Sequence, residues 1–376
     1  MKTPYYFDPV DGSRYPIDEA RWRSAAGRPL MISELAGMGA ADIDRSCRSQ
    51  WRYRAALPIA IGDAVTMGEG LTPLVEDSYE GLSVFFKLEW FAPTGSFKDR
   101  GASVMIAYLR QAGVESILED SSGNGGAAIS AYGRRAGMKV KILAPAGTQE
   151  AKIAQMRAFE AEVQLVPGPR QACQDEAIRQ SDERFYASHN WQAFFLQGTK
   201  LLAYELWEDF GFTAPDNIVI PLGAGSNVLG CHIGFSELLR SGAVSRMPRL
   251  FGVQPANCAP VDAALNAGAD DWIDVEVQPT IAEGTAIRRP VRTREVLAAI
   301  RASGGSTVTN SEAEIADAVR KLARRGMFAE PTSANAAAAV SKLVDAGKIA
   351  RGERTVVILT GTGIKSAGAM ASIFGA

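Results

Sequence analysis

From Thr72-Pro73-Leu74 onward the chain alternates short apolar runs with longer helical stretches, and no other feature limits its fold as strongly. A strand covered on both faces reads as a continuous apolar run, and its parallel neighbour is reached only through a crossover, usually helical. The spacing predicts strands over 82–88 (LSVFFKL), 115–119, 138–143 and 162–166, with helices over 99–112, 125–136, 148–160 and 170–180. A strand at 184–187 then leads through a loop to a helix over 198–209. A second series follows, with strands at 217–221 (NIVIP), 249–254 and 355–360 (TVVILT) and helices near 226–240, 311–325 and 333–346. The expected class is α/β, with two open, mostly parallel sheets flanked by helices. Residues 1–65, rich in Arg, Pro, Gly and aromatics, lack sustained periodicity and are read as an N-terminal extension packed on the body.

Composition narrows the partners. Forty basic residues nearly cancel 42 acidic ones, a formal charge of −2 over 376 residues, so neither nucleic acid nor an anionic membrane is an expected partner. No apolar stretch reaches the roughly 18–20 residues that span a bilayer. The start, MKTPYYFDPVDG, has no apolar core behind a basic run, and the cytoplasm is the expected compartment. The four cysteines (47, 173, 231, 258) form no CxxC pair, and the two histidines, His189 and His232, have no metal-binding spacing, so no metal is expected.

In open parallel sheets ligands sit at the carboxyl ends of strands, where glycine loops bring backbone N–H groups to an anion at a helix N-terminus. Three segments stand at such places: Ser121-Ser122-Gly123-Asn124-Gly125-Gly126, Gly223-Ala224-Gly225-Ser226-Asn227, and Thr360-Gly361-Thr362-Gly363. Alone, the Gly223 loop could cradle a dinucleotide, take a single phosphate, or merely turn the chain. No acidic residue follows it at ribose distance, and no GxxxxGK[ST] exists anywhere, which disfavours nucleotide chemistry. Lys98 lies where Pro93-Thr94-Gly95-Ser96-Phe97 enters a helix. Most helix lysines are simply solvated. Here the positive end of the helix dipole can lower an amine pKa and favour a Schiff base. Such an amine, a glycine cradle for one phosphate and a hydroxyl at a strand end together describe a pyridoxal phosphate site.

The segments PTGSFKDRG (93–101), SSGNGGAA (121–128), QGTKLLAYE (197–205), PLGAGSNVLG (221–230), TIAEG (280–284) and LTGTGIK (359–365) resemble, in order and spacing, the fold-type-II pyridoxal-phosphate enzymes over about residues 66–370. Within them the chain looks most like threonine synthase and its paralogs. The resemblance implies a tryptophan synthase β-like body, with 66–98 and 208–376 as a large cofactor-binding domain and 99–207 as a smaller, mobile one. It implies that Lys98 carries the cofactor and moves protons, and that Asn124 bonds the cofactor's phenolic oxygen. Ser121, Ser122, Gly123, Asn124, Gly125 and Gly126 would take the substrate carboxylate. Gly223, Ala224, Gly225, Ser226 and Asn227 would surround the cofactor phosphate, with Glu283 beside the ring and Thr360 at its nitrogen. Glu330-Pro331-Thr332 would line the back of the site or simply enter a helix.

The implied activity is β-elimination or β/γ-replacement on an amino acid by a homodimer, threonine synthase being the nearest named reaction. A serine/threonine dehydratase or a β-replacement synthase is the enzymatic alternative, and a cofactor-binding protein without turnover the non-enzymatic one. Two departures stand out. Threonine synthases acting on O-phosphohomoserine commonly carry a phosphate-gripping arginine where this chain has Phe195, so a non-phosphorylated substrate is expected unless Arg288, Arg289 or Lys152 supplies the charge. Asp8-Pro9-Val10-Asp11-Gly12 stands where some relatives have half of a CPxCG zinc ribbon. Hence the extension should be held by its aromatics rather than by zinc.

Overall fold

A computed structural model describes residues 3–148, 150–168 and 170–375. In chain order the described strands are β1 (Tyr5–Phe7), β2 (Arg14–Pro16), β3 (Met31–Ile32), β4 (Leu74–Tyr79), β5 (Leu82–Leu88), β6 (Ser116–Glu119), β7 (Lys139–Pro145), β8 (Glu162–Val166), β9 (Phe185–Tyr186), β10 (Asn217–Pro221), β11 (Arg249–Pro255), β12 (Ser306–Asn310) and β13 (Thr355–Leu359). The helices are α1 (Lys98–Gln111), α2 (Asn124–Arg135), α3 (Glu150–Ala158), α4 (Arg170–Gln180), α5 (Ala193–Thr199), α6 (Leu201–Asp209), α7 (Ser226–Arg240), α8 (Pro260–Asn266), α9 (Thr293–Ala302), α10 (Glu312–Ala323), α11 (Pro331–Asp345) and α12 (Ala367–Phe374). The chain divides into two compact units, Met1–Glu69 with Lys98–Leu201, and Gly70–Phe97 with Leu202–Ala376.

The first unit is built on a wholly parallel sheet in the order β8-β7-β6-β9. The N-terminal segment belongs to this unit and is more regular than expected, since β2-β1-β3 form a small antiparallel sheet. Its strands are only two or three residues long, too short to register as periodicity. Aromatics tie it to the unit. The Tyr6 hydroxyl donates to that of Tyr108 at 2.8 Å, and Trp22 meets Tyr186 and Trp191 edge-on. Carboxylates contribute as well: Asp8 accepts from the Val10 N–H and the Arg28 guanidinium, which also pairs with Asp11. Burial alone would raise the Asp8 pKa, but these bonds hold it below the usual carboxylate range.

The second unit carries a sheet in the order β12-β11-β10-β13-β5-β4, parallel except for the β4–β5 hairpin. β10 and β13 are buried at every position, which explains their unbroken apolar sequences. β4 was not expected, because its LVEDSY pattern is that of a half-exposed edge strand. The two-residue turn Glu80-Gly81, with both φ angles positive, reverses the chain into β5. Apolar side chains of α10 and α11, including Val319, Leu322, Val340 and Leu343, pack with Val84, Phe86, Val219 and Val357 of the strands.

The loop expected before residue 198 is helical instead. α5 starts at Ala193, where the Gln192 side chain caps the Phe194 N–H at 2.7 Å, and all seven of its residues are buried. A second helix, α6, follows after Lys200, so the predicted 198–209 helix is two helices. Phe194 stacks on Tyr108 of α1 with ring centroids 3.6 Å apart. Two glycines permit the close approach of α1 and α5: a Cβ at Gly198 would lie 2.1 Å from the Arg100 carbonyl, and one at Gly101 would enter the Phe195 ring.

Candidate functional site

In the second unit β10 ends at Pro221 and the chain passes through Gly223-Ala224-Gly225 into α7. Gly225 has φ +86°, and a Cβ there would lie 2.3 Å from Val296 Cγ2 of α9; one at Gly223 would crowd the Gly284 carbonyl at 3.1 Å. Both glycines are therefore fixed by packing behind the loop, not only by the approach of a ligand in front of it. The N-terminus of α7 has no side-chain cap. Just inside it, Asn227 is 3% exposed and neither amide atom has a hydrogen-bond partner. An unpartnered buried amide costs roughly 1–3 kcal/mol per group, so this arrangement suits an anion held at the helix start.

At the end of β13, the Thr360 carbonyl accepts the Phe97 N–H at 2.9 Å, and Gly361 bridges to Ser96. The Ser96 hydroxyl is fully buried and lacks a partner, a second group left for a ligand. The first turn of α11, opened by Pro331 at its N-terminus, secures two loops. Thr332 Oγ1 accepts the Gly284 N–H at 3.0 Å, while Ser333 Oγ accepts the Gly361 N–H at 2.7 Å and lies 2.9 Å from Thr360 Oγ1. Glu283 is exposed in the 283–285 turn. Glu330 is buried, and a Cβ on Gly361 would collide with its carboxylate. The sequence leaves Glu330-Pro331-Thr332 as either the back of the site or a helix entry, and Pro331 does open α11; Ser333, beside Thr332, carries no spacing signal.

In the first unit Lys98 is the first residue of α1, and its amine stands 5.6 Å from the centre of the Phe195 ring. The helix is anchored through Glu69, whose carboxylate accepts from Trp51 Nε1, Ser103 Oγ and the Tyr132 hydroxyl. Asn124 opens α2, and the preceding turn is so tight that a Cβ on Gly126 would fall 1.9 Å from the Ser121 carbonyl. Under Gly125 lies His189: a Cβ on that glycine would meet its Cε1 at 2.7 Å. His189 Nδ1 is 2.8 Å from Glu119 Oε1, its own N–H donates to Glu119 Oε2, and its ring is 5.6 Å from that of Phe195.

Burial pushes Glu119 up to about 7 and holds His189 well below its ordinary value, so the imidazole is neutral. Asp120 is raised too, by burial and by the neighbouring Glu119. The spacing of His189 and His232 offers no metal site, and gives no sign of another role for His189. Its partner lies 70 residues earlier on β6, a pairing that only the sheet reveals. Among the alternative cations proposed for Phe195, Arg288 is exposed and paired with Asp274 at 2.8 Å, and Arg289 packs over Trp272. The Lys152 side chain lies outside the described residues.

The sequence model of the family described as pyridoxal-phosphate dependent enzyme matches residues 65–361. The threonine synthase of Methanosarcina acetivorans is 34% identical over 327 residues, 84% of this chain and 80% of that protein. That of Methanocaldococcus jannaschii is 34% identical over 324 residues, with the same coverage. Among solved structures, an L-serine ammonia-lyase from Rhizomucor miehei superposes with a TM-score of 0.72 at 21% identity, covering 83% of this chain and 99% of that one. Maize serine racemase does so at 0.68 and 21%, covering 81% and 92%. These two likenesses concern the fold, the fold-type-II architecture.

Proposed function

The chain belongs to the pyridoxal-phosphate dependent enzyme family, and from that premise we propose that it catalyses β-elimination or β/γ-replacement on an amino acid in the manner of threonine synthase. The observation that carries the cofactor assignment is the buried, unpartnered Asn227 amide at the start of α7. When bound, pyridoxal phosphate supplies an electron sink for charge developing at the substrate's Cα. Gly223, Ala224, Gly225, Ser226 and Asn227 would hold its phosphate through backbone N–H groups, a hydroxyl and an amide. Lys98 would hold it through Nζ and would move protons at the substrate's Cα and Cβ. Asn124 would bond its phenolic oxygen, Glu283 would run beside its ring, and Thr360 would meet its ring nitrogen. The Ser121-Ser122-Gly123-Asn124-Gly125-Gly126 turn takes the substrate carboxylate with its N–H groups.

A second reading of the substrate is favoured by Phe195. Its ring is fully buried against Gly101 and beside His189, and neither ring can replace a guanidinium on a phosphate. This supports a non-phosphorylated amino acid, with dehydration or β-replacement as the outcome. The test compares phosphate release from O-phosphohomoserine with 2-oxo acid release from serine and threonine, and with turnover of O-acetylated amino acids, before and after Phe195→Arg. Fast phosphate release by the unmodified enzyme, undiminished when Arg288 and Arg289 are neutralised, returns the assignment to threonine synthase proper.

We further propose a cytoplasmic homodimer, in keeping with four cysteines that are free thiols. Among the described residues no helix is long and apolar enough to cross a membrane. The dimer rests on the resemblance and is checked by light-scattering mass.

A further inference from the structure

We propose that Glu119 and His189 together read the side chain of the amino-acid substrate. His189 is the specificity-determining residue, presenting its ring nitrogen Nε2 to the group on the substrate's β-carbon. Glu119 is the positioning residue that decides whether Nε2 accepts or donates a hydrogen bond. With the pair deprotonated, the site selects a hydroxyl over its O-acyl ester. The proposal rests on the reading of an unphosphorylated substrate held between Lys98 and the 121–126 turn.

All of these residues belong to one compact unit. The edge of the His189 ring stands where Gly125 has no side chain, since a Cβ there would lie 2.7 Å from Cε1 and 2.8 Å from Nδ1. The ring thus abuts the turn assigned to the substrate carboxylate. Its neighbour is the Phe195 ring, 5.6 Å away between centroids, and the centre of that ring is 5.6 Å from the Lys98 amine. A side chain entering between the turn and Lys98 therefore meets these two rings. Phe195 offers it no polar atom. Of the histidine's nitrogens, Nδ1 is engaged by Glu119 Oε1 at 2.8 Å, and Nε2 has no partner among the described residues. His189 is 5% exposed, so its ring is not sealed in.

What Nε2 offers follows from the protons on the pair. Glu119 Oε2 accepts the His189 N–H at 3.0 Å, so both carboxyl oxygens face the same residue. An ionised carboxylate requires Nδ1 to carry the single proton of a neutral ring, which leaves Nε2 a bare lone pair. One more proton on the pair reverses this. Held on Oε1, it donates to Nδ1 and the ring proton sits on Nε2; held on the ring, both nitrogens are protonated; on Oε2 it would face the His189 N–H, donor against donor. Nε2 becomes a donor whichever partner keeps the proton, and the two titrate as one group. A hydroxyl can give or take a hydrogen bond, whereas the ester oxygens of an O-acyl amino acid only take one. The deprotonated pair therefore leaves the ester unmatched, and the protonated pair serves both.

The charges acting on the pair are Lys98 from α1, Arg170 from α4 and Asp120 beside Glu119; α2 and α5 turn Gly125 and Phe195 to it, which do not titrate. Two cations against two acids leave no excess charge, which suits a neutral hydroxyl better than an ammonium group. Burial raises Glu119 to about 7, so the change of role falls near neutrality.

The test takes two readouts from the protein loaded with pyridoxal phosphate. The chain has two histidines, so NMR of ¹⁵N-histidine protein resolves their ring nitrogens. Nε2 of His189 should be bare at about pH 8.5 and protonated at about pH 5.5. Glu119→Gln should keep it protonated throughout, because the amide oxygen is taken by the His189 N–H and the amide NH₂ then faces Nδ1. The second readout is kcat/KM for L-serine divided by that for O-acetyl-L-serine. This ratio should rise roughly tenfold from the lower to the higher pH in the unmodified enzyme, the effect of one buried acceptor matched or left unmatched. It should stay flat in Glu119→Gln, at the acid value, and in His189→Phe, which keeps a ring but removes its nitrogens. A flat ratio in the unmodified enzyme overturns the proposal even where Nε2 titrates, as does a rise that persists in both variants. An Nε2 that does not change its proton between the two pH values overturns it as well. If neither serine nor its ester is turned over and O-phosphohomoserine is, the unphosphorylated reading itself is rejected and this inference falls with it.

Discussion

Gly101→Ala tests how rigid the wall beside Lys98 is. Gly101 lies one turn along α1 from Lys98, and a Cβ built there falls 2.5 Å from Phe195 Cε1 and Cζ. Ordinary contact begins at 3.4 Å, so the ring must retreat by the difference, 0.9 Å. Phe195 is fully buried with His189 behind it, so retreat means overpacking, roughly 1–3 kcal/mol. Replacing a helical glycine by alanine returns about 1 kcal/mol, leaving a net loss of roughly 0–2. Phe195→Ala alone should cost roughly 3–5 kcal/mol. In the double variant the new methyl enters the space left by the ring, so the overpacking disappears. The double should then be more stable than the sum of the singles by roughly 1–3 kcal/mol. Chemical denaturation of the four proteins measures this coupling. Additivity within roughly 0.5 kcal/mol would mean that the ring swings aside freely. In that case Phe195 would not define a pocket, and the argument for an unphosphorylated substrate would fall with it.

Three further outcomes follow from the same geometry. Glu119, raised by burial to about 7 from a usual 4.5, contributes stability that is present below pH 4.5 and lost as pH rises through 7, at most roughly 3 kcal/mol; Glu119→Gln should flatten that slope, and a slope that persists in denaturation curves would reject it. Gly225→Ala should cost roughly 2–5 kcal/mol from left-handed backbone plus the collision with Val296, and Val296→Ala should recover only the collision; full recovery in melting experiments would show that the backbone is not strained. Lys98→Ala should lose the covalent, borohydride-reducible adduct with pyridoxal phosphate, and mass spectrometry that finds an adduct on another lysine would contradict the assignment of Lys98.

The central strands were legible because burial on both faces leaves a bare apolar run, as in NIVIP and TVVIL. Edge elements were not. β4 carries Glu76, Asp77 and Ser78, and its pairing with β5 depends on a non-glycine residue, Glu80, taking a positive φ. α5 was hidden because AFFLQGT is buried on all sides and so shows no amphipathic period. In the site, Lys98 and the glycine segments were visible as motifs. His189 with Glu119, and Ser333 with Thr360, were not, because each pair joins distant parts of the chain through a sheet edge or a helix start.

The glycines show where a motif locates a site without explaining it. Gly223 and Gly225 read as room for a phosphate, yet the space that their missing Cβ atoms leave is taken by the Gly284 carbonyl and by Val296. Gly125 and Gly126 are likewise filled by His189 and Ser121. These glycines let other elements press against the loops from behind, which holds the loops in one shape. Recognition then falls to what those elements carry. In one unit that is the first turn of α11, with Thr332 on Gly284 and Ser333 on Gly361 and Thr360; in the other it is the Glu119–His189 pair beneath Gly125. Substitutions behind the loops, at Val296, Thr332 or Ser333, should therefore change cofactor affinity without touching any residue proposed to contact the cofactor, whereas Phe195 and His189 should change the choice of substrate at constant cofactor affinity.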